Sequence, residues 1–201
     1  YAGEGGMRVP LIIAGEPVRQ PGELNRAFAW ATDITPTILA LSGTALPGDR
    51  YAGRPVLPLI GRDLTPLLRG EVERVYGEDD AVGYELTGHG ALFQGDYKVV
   101  VNQAPLGDGQ WRLFNIVEDP GETVDLAATQ PALFQRMLSR YQQYQEENGV
   151  LPLPVGYTQM RQLFINTLHK KSGEQILIFL LALVLLLPFY VAYRIKKDVL
   201  R

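Results

Sequence analysis

The chain has 201 residues, of which 46% are hydrophobic and 20% charged, and a net charge of −3; this composition sets aside disorder and fits one globular domain and a little more. Residues 1–161 carry 13 basic and 20 acidic groups, and residues 162–201 carry 6 and 2, so the acidic body lacks the basic face that neutralises phosphates and argues against nucleic acid as a partner. The count of zero cysteines excludes disulfides, thiolate metal sites and Cys nucleophiles from this stretch.

The opening Tyr1-Ala-Gly-Glu-Gly-Gly-Met-Arg-Val-Pro10 has no initiator Met and none of the basic and apolar regions of a signal peptide. Its glycines allow a backbone turn or a close approach. Met7–Ala14 then predicts a short buried strand, with Pro10 at an edge or a strand start. A glycine turn feeding a strand suits the middle of a domain, so an essential segment is expected upstream of Tyr1. Gly3-Glu-Gly-Gly6 fails as a phosphate cradle, because no helix follows directly and no Lys-Ser/Thr is present. Arg8 is expected in a buried or half-buried ion pair that stiffens the turn.

After the Pro/Gly loop Glu16–Glu23, Ala27–Ala31 predicts a second short strand. Thr32-Asp-Ile-Thr-Pro-Thr37 carries helix-start chemistry, with Asp33 or Thr35 as cap, Pro36 in the first turn and Gly43 as the stop. Strand, loop, strand and capped helix make an α/β pattern. Pro47–Pro66 reads as an irregular connection, with one helical turn over Leu64–Leu68 before Gly70. From Val75 the pattern changes. Val82–Leu86, His89–Phe93, Tyr97–Val101 and Trp111–Ile116 predict an antiparallel meander with one face buried. An amphipathic helix is expected from about Pro131 to Asn148, ended by Gly149. Together, residues 75–149 make a complete small α+β unit.

Val150–Val155 is a stiff linker, and in residues 150–175 Tyr157, Met160, Phe164 and Leu168 share a helical face suited to a membrane surface. Ile176–Tyr193 carries no charge and is long enough to cross a bilayer as one transmembrane helix, with Pro188 near one end. Lys170 and Lys171 precede the span; Arg194, Lys196, Lys197 and Arg201 follow it within the basic tail 194–201. That bias favours a cytoplasmic C-terminus and a body that is outside or periplasmic.

Several stretches, taken in order, resemble one family. Gly5-Gly-Met-Arg-Val-Pro10, Thr32-Asp-Ile-Thr-Pro-Thr37, Gly83-Tyr-Glu-Leu86, Gln94-Gly-Asp-Tyr-Lys98, Leu113-Phe-Asn115, Asp119-Pro-Gly-Glu122 and Asp125-Leu-Ala127 look like the C-terminal part of a bacterial arylsulfatase of the alkaline-phosphatase-like superfamily. The resemblance covers Tyr1 to about Val150 and leaves out the transmembrane tail. It implies that residues 1–70 are the last edge of a large α/β domain. Residues 75–149 would be the small C-terminal domain, a four-stranded antiparallel sheet with one helix.

The resemblance further implies a sulfuric ester hydrolase that uses a formylglycine, made from the Cys or Ser of a C/S-x-P-x-R motif, and a Ca²⁺ ion. This chain has no such motif, and the family's sulfate-binding lysine falls ahead of Gly5-Gly-Met-Arg-Val-Pro10. No catalytic residue of the family can therefore be placed on it, and the fragment alone is expected to be inactive. A phosphodiesterase or phosphonate monoester hydrolase of the same superfamily is an alternative, as is a non-enzymatic, membrane-tethered binding module.

His89 and His169 are the only histidines, so no His-based metal site can be built. Tyr84, Glu85 and His89 are candidates for the rim of the substrate entrance. Against that stand a strand alternation that puts one of Tyr84 and Glu85 in the core and one in solvent, and an exposed hairpin position for His89. Glu78-Asp79-Asp80 offers oxygen ligands to a hard cation, or is a solvated acidic loop.

Overall fold

Residues 94–97, Gln-Gly-Asp-Tyr, fold back the strand pair at the centre of the structure, a computed structural model that describes residues 1–199. The chain forms two compact units that divide after Val150. Arg201 of the basic tail lies outside the described residues.

The first unit opens with α1, Glu4–Met7, a single helical turn. This corrects the strand expected over Met7–Ala14. Residues 8–14 have no regular structure, and Ile12 is 90% exposed. The strand expected over Ala27–Ala31 is also absent: residues 27–30 are irregular and a 3-10 turn occupies Ala31–Asp33. A strand exists by exchanging N–H and C=O bonds with a neighbour, and among the described residues no strand pairs with either segment. Helix α2, Ile34–Leu41, follows the 3-10 turn, and Gly43 leaves it at φ 65° as expected.

The stretch read as irregular holds a hairpin, β1 Arg50–Tyr51 paired with β2 Arg54–Pro55. Its two turn residues, Ala52 and Gly53, both have positive φ, the backbone that matches the twist of two tightly joined strands. Two-residue strands are too short to show alternation. The expected helical turn is α3, Thr65–Leu68.

The meander is present at the expected places: β3 Ala81–Leu86, β4 His89–Gln94, β5 Tyr97–Val101 and β6 Arg112–Asn115, in that spatial order and antiparallel throughout. Helix α4 spans Pro131–Asn148, and Gly149 ends it at φ 64°. The sheet, however, is buried on both faces. Leu92, Val99 and Leu113 pack on Met137 and Tyr141 of α4. Their strand neighbours Ala91, Phe93, Val100 and Phe114 pack on Ala2, Met7, Phe28 and Trp30. Unbroken apolar runs such as Ala91-Leu-Phe93 and Val99-Val-Val101 belong to a sheet covered on both sides rather than to one with a solvated face. Gly90 lets α4 lie close, since a Cβ there would come within 2.3 Å of the Tyr141 hydroxyl.

The second unit holds α5, Gln159–His169, and α6, Lys171–Val199. Within α6, Gly173–Lys197 is long and apolar enough to cross a membrane, with a mean hydropathy of 2.7 and none of it buried.

Candidate functional site

Lys98 stands in an otherwise apolar strand, and its side chain is fully buried. Its ammonium lies 2.9 Å from Glu4 Oε1 and 2.8 Å from Glu122 Oε1. Its third neighbour is the face of Phe93, 4.9 Å from the ring centre, a favourable place for a cation. Glu122 in turn accepts from the backbone N–H of Glu4 at 2.9 Å through Oε2. Two carboxylates on one ammonium, joined by a backbone bond, form a closed clamp between α1, β5 and the turn after β6.

The local sequence explains how each member arrives. Gly3 and Gly6 allow the α1 turn to curl onto Tyr1, since a Cβ at either would lie within 2.8 Å of the Tyr1 ring. The turn directs Glu4 inward, where it is 7% exposed. Asp119 gathers the backbone N–H groups of Thr123 and Val124 at 2.7 and 2.8 Å. Glu122 sits in that loop at φ 54°, a strained region for a residue with a Cβ. Arg8, expected in a buried or half-buried ion pair, is 46% exposed and lies 3.8 Å from the buried Glu4 carboxylate. The buried cation is Lys98.

A second polar network centres on Asp33, which is fully buried. Its carboxylate accepts from Trp30 N–H at 2.6 Å, Arg62 N–H at 2.8 Å and the Tyr76 hydroxyl at 2.6 Å. Burial, and then this bond, push the Tyr76 phenol well above its ordinary value. The Arg62 guanidinium lies over the Tyr76 ring, 4.5 Å from its centre, and grips Asp80 with two N–H groups, one at 2.6 Å. That contact, helped by Gly77 N–H, holds the Asp80 carboxyl below the usual range. A cleft of about 320 Å³ runs beside both networks, lined by Arg8, Arg26, Phe28, Arg74, Tyr76, Asp80 and Asp96 among others.

The three rim candidates do not line this cleft. Tyr84 is half-buried on the sheet face that packs on Phe28 and Trp30. His89 lies on the same face by register, since Leu86 pairs with His89 and Tyr84 with Ala91. Glu85 points to the α4 side, where its charge helps raise Tyr141 and Tyr144. It is half-buried rather than solvated, and its Oε1 accepts from Gly88 N–H at 2.9 Å, closing the β3–β4 turn. His89 is fully buried, which corrects the exposed hairpin reading. Its Nδ1 accepts from Gln103 N–H at 3.2 Å, and the neighbouring Asn102 accepts from Ala2 N–H at 2.8 Å.

Glu78-Asp79-Asp80 does not act as a unit, because Asp80 is committed to Arg62 and Gly77. Among the described residues no group of three or more His, Asp or Glu side chains is placed to hold a metal ion. The residues described therefore do not fit the calcium ion implied by the resemblance. Sequence reasoning missed Lys98, Asp33 and Tyr76 as paired groups. The signal for Lys98 was there, a single cation inside Tyr-Lys-Val-Val-Val.

The clamp ties the N-terminal turn, β5 and the turn after β6 together within the first unit. Relatives of the chain supply its class. The chain is 31% identical over 152 residues to an uncharacterised sulfatase of Schizosaccharomyces pombe, a match that covers 75% of this chain and 27% of that protein. It is 39% identical over 71 residues to the steryl-sulfatase of Mus musculus and 41% identical over 71 residues to that of Homo sapiens, in each case across 35% of this chain. Over three quarters of its length the chain is thus homologous to part of a sulfatase. It spans about a quarter of the fungal relative and about a tenth of the steryl-sulfatases. No family model matches. Among solved structures, that of Ps i-CgsB with k-i-k-neocarrahexaose aligns with a TM-score of 0.44 and 20% identity, over 71% of this chain and 30% of the other.

Proposed function

We propose that this chain is the C-terminal part of a membrane-anchored, arylsulfatase-like sulfuric ester hydrolase. The observation that carries the reading is the 31% identity to a sulfatase across 152 residues. Residues 1–70 then form an edge of the enzyme's large domain, and the nucleophile and calcium ligands belong to a preceding segment. The irregular, largely exposed segment 8–14 supports this, because it holds apolar side chains and pairs with no described strand. The Gly173–Lys197 helix anchors the enzyme, with the basic residues after it on the cytoplasmic side. Tyr84, on the sheet face away from α4, borders the substrate entrance, His89 acts behind it by holding the Asn102–Gln103 turn, and Glu85 fixes the β3–β4 turn beside them.

The test is hydrolysis by the complete gene product of an aryl sulfate and an aryl phosphodiester. Sulfate release by the complete protein, with none from residues 1–201 alone, is the expected result. Phosphodiester cleavage without sulfate release would place the enzyme elsewhere in the superfamily. A complete gene product active on neither would favour the tethered binding module. Relatives named as sulfatases favour the first outcome.

A further inference from the structure

Helix α5 carries an apolar stripe, Met160, Leu163, Phe164 and Leu168, at spacings of three and four residues. These side chains are 63%, 52%, 65% and 39% exposed. The opposite side of the helix holds Gln162, Asn166 and His169, with Gln162 donating to Asn166 at 2.9 Å. Between Gln159 and His169 the chain has Arg161 and no carboxylate, and Lys170 follows directly. A stripe of this kind, on a helix with a cationic and otherwise neutral polar side, suits the boundary of an anionic lipid surface.

Continuity with α6 says what covers the stripe. His169 and Gly173, the first residue of the candidate span, are four residues apart, a reach of at most ~14 Å even if fully extended. Only Lys170 interrupts the helices, at ψ 147°. The corner is tight. Gly173 N–H donates to Lys170 C=O at 2.7 Å, and a Cβ on Gly173 would lie 2.2 Å from Thr167 C=O and 2.7 Å from Leu168 Cα. If α6 crosses a bilayer, α5 is held within reach of its headgroups.

We propose that α5 lies in the surface of the bilayer that α6 spans. Met160, Leu163, Phe164 and Leu168 enter the headgroup–acyl boundary, while Arg161 and Lys170 pair with anionic phospholipid headgroups. This rests on the membrane-anchor reading given above, and its test separates the two.

The cysteine-free chain allows single labels. Phe164→Cys, Gln162→Cys and Leu180→Cys variants are labelled with an environment-sensitive fluorophore and reconstituted into vesicles of phosphatidylcholine, with or without phosphatidylglycerol. Each is then quenched by shallow spin-labelled lipid and by aqueous iodide. The Phe164→Cys label is expected to be quenched several-fold more by lipid than by iodide, with the reverse at Gln162→Cys, and more strongly when phosphatidylglycerol is present. Equal lipid quenching at the two α5 sites, with Leu180→Cys buried in lipid, would overturn the proposal and leave the anchor intact. So would a Phe164→Cys label shielded from both quenchers, since protein then covers the stripe. A Leu180→Cys label open to iodide would overturn the anchor, and the interfacial helix with it. Identical results in the two lipid mixtures would remove the headgroup pairing.

Discussion

Replacing Lys98 with Met tests whether the clamp holds the N-terminal turn to the meander. Methionine keeps most of the volume and removes the charge. The Glu4 and Glu122 side chains are only 8% and 12% exposed, so they are left as two inward-facing carboxylates without their cation. Breaking a buried pair from one side costs about 3–5 kcal/mol, because the partner's desolvation is no longer compensated. For a unit of 150 residues, that corresponds to a fall in melting temperature of about 6–20 °C. Thermal and urea unfolding of the detergent-solubilised chain, followed by circular dichroism, measures it. Limited proteolysis adds a local reading, since loss of the clamp frees residues 1–15 for cleavage. The triple variant Lys98→Met, Glu4→Gln, Glu122→Gln is expected to recover much of the loss, because neutral side chains are far less costly to leave buried. If Lys98→Met stayed within 1 kcal/mol of the parent, a figure well below the cost of a broken buried pair, with an unchanged cleavage pattern, the clamp would be disproved.

Asp33→Asn places an amide donor among three donors and is expected to cost about 1–3 kcal/mol for the groups left unsatisfied, read as a lower urea midpoint. Burial pushes the Tyr141 phenol up to about 12, with the Glu85 charge adding to it, and Tyr76 is raised as well. A raised phenol pKa gives stability that is complete below the ordinary value of about 10 and is lost as pH rises through the folded value. Unfolding midpoints should therefore fall above about pH 10, and Tyr76→Phe should weaken that dependence while lowering the neutral-pH midpoint. Asp80 works in the opposite direction. Its lowered pKa, due first to Arg62, gives stability present above the ordinary carboxylate value and lost as pH falls through the folded one. Asp80→Asn should flatten the acid limb of the same series. Gly90→Val should cost about 1–3 kcal/mol by overpacking, because a Cβ there meets Tyr141; an unchanged melting curve would show that α4 does not sit so close.

The meander and α4 were legible because their information is local. Gly95 and Asp96 make a turn, Gly149 ends a helix, and the Phe134, Met137, Leu138 and Tyr141 spacing marks a buried face. The first 31 residues were not, because a strand is a relation between segments. Met7–Ala14 has strand composition, yet no described strand lies beside it. The second covered face of the sheet was written in Ala91-Leu-Phe93 and Val99-Val-Val101, where alternation fails. His89 was hidden for another reason. A glycine before a histidine in a hairpin suggests exposure, and nothing local says that Gln103 will donate to its ring.

The clamp gives a physical account of why the motifs occur together. Glu4 immediately precedes Gly5-Gly-Met-Arg-Val-Pro10, Lys98 ends Gln94-Gly-Asp-Tyr-Lys98, and Glu122 ends Asp119-Pro-Gly-Glu122. Three stretches separated by 94 and 118 residues meet at one ammonium. A buried cation between two carboxylates is weak evidence of extra stability, since an apolar core could do as well. Its expected value is in register, since the docking of α1 seen here brings Glu4 and Glu122 together on one ammonium. A residue swap separates these roles. Exchanging the charges, with Lys98→Glu combined with Glu4→Lys, preserves one ion pair but sets two carboxylates against each other at Glu122. If the clamp specifies register, this variant should remain as cleavable at residues 1–15 as Lys98→Met. If a single pair is enough, protection should return.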